Sequence, residues 1–213
     1  KNGVPHYNDE LRGIYITKKD LLGNGTWLKP FEMLMHEIGH QLDHLINLKV
    51  LKGYEGYYIS DIWVSAKYKG FTLGSMLEKE YLSFIASIKG NTNLSDSEVF
   101  ELIKQKYQGK NKGSIKELSD LFSGLSKGEL NLGFGHKKSY WDSIPVSKEA
   151  FAEFTSSLAT NPESLELLKE VFPKSYEIYL EIFGFVSVCI GAEAKFDSKF
   201  KSVNLNSLKA AKI

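Results

Sequence analysis

His36 and His40, with Glu37 between them, are the residues whose types and spacing bear most directly on chemistry. They stand in Met33-Leu34-Met35-His36-Glu37-Ile38-Gly39-His40-Gln41-Leu42-Asp43-His44. On a helix, residues four apart lie one above the other with Cβ atoms about 5–6 Å apart, so the two imidazoles can share one ion. Glu37 then falls beside them and not on the metal, where it can take a proton from a water that zinc has acidified to near neutrality. HExxH on a helix therefore points to a zinc-dependent peptidase carrying one zinc per chain.

A catalytic zinc held by two histidines and a water needs one more protein ligand. The HExxHxxGxxH arrangement is excluded, because Asp43 and Ile46 stand where its glycine and third histidine would be. The single cysteine, Cys189, lies in the apolar run Phe185-Val186-Ser187-Val188-Cys189-Ile190 and is expected to be a small buried hydrophobe. A carboxylate on a second helix remains. Ser147 to Leu158 supplies such a helix, with Ser147 as N-cap, Pro145 as breaker, and Ala150, Phe151, Phe154 and Leu158 as a buried stripe. Glu149 and Glu153 are four apart on the opposite face and would repel each other on a free helix, which a neighbouring cation would relieve. Glu149 is expected to be the third zinc ligand, and Glu153 the acceptor that fixes the tautomer of a ligand histidine.

In these residues the chain resembles the gluzincin metallopeptidases. Within them it resembles the group that contains the anthrax lethal factor catalytic domain, the Pro-Pro endopeptidases and the metallopeptidase-like domains of phage minor head proteins. That group has a helix reading HE-x-GH-x-x-D followed by a later E-x-F-A-E helix, here His36 to Asp43 and Glu149 to Glu153. The resemblance implies a zincin-like fold, zinc ligands His36, His40 and Glu149, and Glu37 as base. It also implies a tyrosine shortly before the third ligand that donates to the developing oxyanion, a place that Tyr140 fits. The segment Gly135-His136-Lys137-Lys138-Ser139-Tyr140-Trp141 and the stretch from Asn161-Pro162 to Phe172-Pro173 are most similar to the phage-type members, so phage structural proteins are possible partners.

The first metal-binding helix is expected to start near Lys29, with Pro30 in its first turn, and to run to about Leu48. Phe31, Leu34, Met35, Ile38, Leu42, Leu45 and Ile46 form the apolar stripe that would anchor it in a core while the histidines face away. Asp43 lies on the histidine face, either as an outer acceptor or as an ordinary helix carboxylate. His44 leans the same way, but this motif takes its third ligand from another element. His136 either contacts substrate or is a loop histidine. Trp141 is expected to pack, and His6 to be idle.

The expected fold class is α+β, mostly helical: one zincin-like domain over residues 1–213, with a mostly helical insertion at 49–135 between the two metal-binding helices and a solvated lysine-rich tail at 195–213. Arg12 to Thr17 alternates as a strand, which is either structural or the edge that pairs with an extended substrate. Helices are expected at Leu73–Ile88, Ser95–Tyr107 and Ser114–Leu125, the last two opening with capping boxes, and again from Asn161-Pro162 and at Ser175–Phe183. The insertion is rich in aromatics and helices that the chemistry does not need. It is expected to cover the cleft and to restrict the enzyme to few protein substrates.

Composition narrows the partners. With 213 residues and 42% hydrophobic content the chain can bury a core, and a net charge of +1 gives no electrostatic case for nucleic acid. The absence of an 18-residue apolar run gives none for a membrane span. A protein or peptide substrate is the expected partner. Compartment stays open, with a phage virion or host cytoplasm favoured over secretion. Two other roles share these residues: a virion structural or interaction module that keeps a zincin scaffold, and a toxin or effector protease delivered into another cell. Glu37 speaks against the first, because a structural zinc takes four protein ligands and needs no base.

Overall fold

The computed structural model describes residues 5–8, 10–11, 13–23, 28–45 and 57–190, and the expected tail and much of the aromatic stretch after the first long helix lie outside them. A short antiparallel hairpin opens the chain. Its strands are β1 (His6–Asn8) and β2 (Gly13–Tyr15), with Tyr7 opposite Ile14. Ten helices follow among the described residues, so the molecule is mostly helical with one two-stranded sheet. None of these helices is long and apolar enough to cross a membrane.

After α1 (Lys18–Leu22), the motif helix α2 runs over Glu32–Leu45. It starts three residues later than the sequence suggests, because Phe31 takes a left-handed φ of 64° and turns the chain after Pro30. The Glu32 carboxylate accepts the Lys29 N–H at 2.8 Å, which closes the first turn. The larger difference is which face is buried. Leu34, Met35, Ile38 and Leu42 are only half-buried, Phe31 is exposed, and the inward face carries Glu32, Glu37, Gly39, His40, Asp43 and His44.

That polar face packs along α8 (Val146–Thr160), the most extensive helix contact among the described residues. α8 opens one residue before the expected Ser147 cap, and the Ser147 hydroxyl bonds to Asp61 instead. Leu158, expected in the buried stripe, is exposed, whereas Glu149 and Glu153 are buried.

The segment read as an insertion is part of the core. It holds α3 (Ile59–Ile62), α4 (Leu73–Lys89), α5 (Asp96–Tyr107) and α6 (Lys112–Leu125). The Ser95–Glu98 capping box is present in both directions. The one expected at Ser114 is not: Asn111 caps α6 by accepting the Gly113 N–H at 2.9 Å, and Glu117 turns inward to Lys116 and Ser164. α6 is buried almost throughout, with Phe122 packed between Tyr81, Phe84, Tyr107 and Phe172 at ring distances of 5.5–6.2 Å. Burying one such phenylalanine contributes about 1.5–3 kcal/mol. Helices α9 (Pro162–Val171) and α10 (Pro173–Ile190) close the core, after α7 (Lys138–Trp141). Pro173 begins α10, two residues before the expected Ser175, and half-buried Cys189 sits in its last turn.

Asp43 illustrates what α2's inward face does. Its carboxylate accepts the Ser60 N–H at 2.7 Å and the Ser60 hydroxyl at 2.5 Å, joining α2 to the start of α3. It therefore does not serve as the outer acceptor for a ligand histidine. Burial pushes the Asp43 carboxyl up to about 8, against the lowering effect of the Ser60 bonds. A folded pKa above the unfolded value, about 3.9, stabilises below that unfolded value and is lost as pH rises through the folded one. Asp43→Asn, which keeps an acceptor for Ser60, should therefore gain on the parent protein between about pH 4 and 8 in paired melting curves. Asp43→Ala, which strands two buried donors, should be about 1–3 kcal/mol less stable than Asp43→Asn at every pH. Parallel pH profiles for the parent and the Asn variant would refute the assignment.

Candidate metal centre

Gly39 explains why α2 and α8 come so close. A Cβ at this position would lie 2.6 Å from the Ala152 Cα and 3.2 Å from the Thr155 Cβ. Only glycine facing alanine permits that approach, and it brings side chains one turn either side into register. Gly39→Ala must push backbone against backbone, and overpacking of this kind costs about 1–3 kcal/mol. We expect a lower melting temperature and weaker zinc binding, read from denaturation and metal titration of the same sample. Unchanged metal affinity would mean that the helix spacing does not set the site.

Across this contact three donor atoms converge. The Nε2 atoms of His36 and His40 are 3.1 Å apart, and Glu149 Oε2 lies 3.5 Å from the first and 3.6 Å from the second. Four-coordinate zinc with bonds of about 2.0–2.2 Å separates its donors by about 3.3–3.6 Å; the two edges to Glu149 fall in that range and the edge between the imidazoles is slightly shorter. The chemistry of the donors agrees. Glu149 Oε2 is buried without a hydrogen-bond partner, and two imidazole nitrogens facing each other need either a proton or a cation between them.

The electrostatics describe the same pull. Burial disfavours the charged form of Glu149, yet the facing His40 and His36 hold its carboxyl well below the usual range. Burial likewise opposes charge on His36, but Glu153 and Glu149 raise it well above the usual imidazole value. The charges that favour a proton here are the ones that a cation would also relieve.

Around the triangle stand the other residues that the sequence singled out. Glu153 Oε2 is 3.5 Å from His36 Nδ1, on the ring edge away from Glu149. Glu37 Oε2 accepts the Tyr7 backbone N–H at 2.6 Å, so β1 holds the carboxylate beside the histidines. The anticipated Arg12–Thr17 strand is present as β2 and also lies against α2, but the backbone N–H that meets Glu37 comes from β1. The Tyr140 hydroxyl donates to Glu149 Oε1. Burial first, and then the Glu149 charge, push its ionisation far above the ordinary range, so it remains a donor.

His44 is not in the triangle: its Nδ1 pairs with the Tyr7 hydroxyl at 3.0 Å. His6 stacks on Tyr15 with centroids 5.1 Å apart and lines the cleft. Trp141 is buried and donates to Ser123 Oγ at 3.2 Å.

The structure adds residues that no motif marks. Asp120 of α6 accepts the His136 N–H at 2.7 Å and faces its Nδ1 at 3.1 Å, and the His136 ring stacks on Tyr140 with centroids 3.8 Å apart. Gly135, at φ 115°, leaves room for this, because a Cβ there would meet Asp120 Oδ1 at 2.6 Å. Asp120, His136 and Glu149 also converge, but Asp120 and His136 already satisfy each other. Lys116, partly buried, pairs with Glu117 at 2.5 Å and Glu32 at 3.5 Å.

The donor triangle opens on a cleft of about 450 Å³ lined by Pro5, His6, Tyr7, Glu37, His136, Tyr140 and Lys148. None of the described residues of the 49–135 segment, expected to cover the cleft, lines it. The cleft walls come from β1, α2, α7 and α8, while α6 supports the site from the core side. No protein-family model, curated protein or solved structure matches this chain.

Proposed function

We propose that the protein is a zinc-dependent endopeptidase of the gluzincin type, with His36, His40 and Glu149 as the metal ligands. The observation that carries this reading is the donor triangle, close to the size that zinc needs and opening on a cleft with a carboxylate and a tyrosine hydroxyl at its edge. Zinc held there would polarise a peptide carbonyl and lower the pKa of water.

Glu37 takes the proton of the attacking water and passes it to the leaving amine, the Tyr7 N–H keeping its carboxylate aimed at the cleft. Tyr140, whose hydroxyl donates to Glu149 and lines the cleft, would turn that donor to the developing oxyanion. His36 and Glu153 form the pair that orients the ligand imidazole.

The test is direct. The purified protein should bind one zinc per chain and cut members of a peptide mixture, lose both with a chelator, and recover both when zinc is returned. Tyr140→Phe should retain zinc and KM while kcat falls, because its bond to the oxyanion exists only in the transition state. A protein that binds zinc but cuts nothing in a broad peptide mixture would count against the reading.

A further inference from the structure

A second cavity, of about 220 Å³, lies between α2, α6 and residues 134–136 and shares Pro5, His36, Glu37 and His136 with the cleft as walls. It is smaller than a site for a whole small molecule, and its size suits one long side chain. Its walls carry four carboxylates, those of Glu32, Glu37, Asp120 and Glu153, against the single ammonium of Lys116.

Three of the four have partners. Glu32 accepts from Lys29 N–H and Asn161 Nδ2, both at 2.8 Å; Asp120 is held by His136; and Glu37 accepts from Tyr7. Glu153 is different. It is 7% exposed, its Oε2 has no hydrogen-bond partner, and its nearest counter-group is the His36 ring, which as a metal ligand is neutral. Lys116 does not offset this alone, because Glu117 and Glu32 already share its charge.

We infer that this cavity is the subsite for a basic side chain, Lys or Arg, on one of the two residues that flank the scissile bond, with its cationic head meeting Glu153. The peptide part of the inference rests on the proposed endopeptidase, whereas the selectivity of the cavity for cations rests only on the proposed metal ligation of His36, which leaves that ring neutral. A cleft that turns over the bond at His36 and Glu37 places a flanking side chain next to that point, and the same two residues wall the cavity. An apolar side chain would desolvate Glu153 without pairing it, and an acidic one would add a like charge.

Two measurements separate the cavity from the chemistry. The chain has three methionines, of which Met33 lines the cavity and Met76 is buried in the core, so methyl-labelled methionine reports on occupancy without turnover. With one equivalent of zinc added, n-butylguanidinium should shift the Met33 signal saturably and leave Met76 unmoved, while n-butanol and butyrate should not shift Met33. In Glu153→Gln the same titration should need at least about ten-fold more cation. A shift with butanol would make the cavity apolar, and a shift with butyrate would give Lys116 control. No shift at all would close the cavity to side chains, and each of these outcomes overturns the inference.

In the second measurement, cuts in a mixed peptide library should have Lys or Arg next to the bond. Apolar or acidic residues there would also overturn it. Cation binding without any cleavage would uphold the cavity and sink the endopeptidase.

Discussion

Glu37→Gln protein binds zinc as tightly as the parent and hydrolyses peptide at least about 10²–10⁴-fold more slowly, the usual share of a general base. The substitution isolates the chemistry because the structure gives Glu37 one structural duty, to accept the Tyr7 N–H, and the amide oxygen of glutamine can still do so. What glutamine cannot do is take a proton. Fold and metal content should therefore match the parent by circular dichroism and metal analysis, and the loss should fall on kcat. A glutamine variant with parental turnover would remove Glu37 from the reaction and favour a role in which the scaffold alone matters.

Glu149→Ala has the second large effect, through the metal. Glu149 gives the donor triangle its only oxygen and is also the acceptor for Tyr140, so its loss removes a ligand and releases the tyrosine. Two imidazoles 3.1 Å apart remain, with no protein anion among the ligands to balance a divalent charge. Zinc affinity should fall well beyond the roughly 10–100-fold typical of losing an outer partner, which is the size expected for Glu153→Ala. Peptidase activity should vanish with it. Competition titration with a metal-sensing dye measures both variants on one scale. If Glu149→Ala kept its zinc while a change at His44 or Asp43 released it, the ligand assignment would be wrong.

The residues on the motif were legible because a four-residue spacing on a helix dictates a shared face, and that face is where His36, His40 and Glu37 lie. The helix ends around α5 and α9 were legible for a similar reason, since Ser95 with Glu98 and Asn161 with Pro162 satisfy terminal amides locally. What periodicity misread was the inward face of α2. An apolar stripe predicts burial only when the partner surface is apolar too, and α8 instead meets α2 with Ala152, Glu149 and Glu153.

The same limit hid Asp120, Lys116 and Glu117. On α6 they look like ordinary solvated helix positions, and only the packing of α6 in the core turns them toward the site. Tyr7 was invisible for another reason: its contribution is a backbone N–H, which every residue except proline possesses.

The polar inner face of α2 would also make a metal ion held there a mechanical joint. Where most core helices hold on through interlocked aliphatics, α2 meets α8 through a glycine on an alanine flanked by imidazoles and carboxylates. The hairpin and α1 reach the helical body chiefly through α2. Coordination energy at this seam would then double as docking energy for everything ahead of it, and occupancy of the ion and attachment of that portion become a single equilibrium. Stripping the metal would loosen α2 and the hairpin as one cooperative unit while α4, α6 and α10 stay folded. Inactivation by a chelator would in that case begin as an undocking.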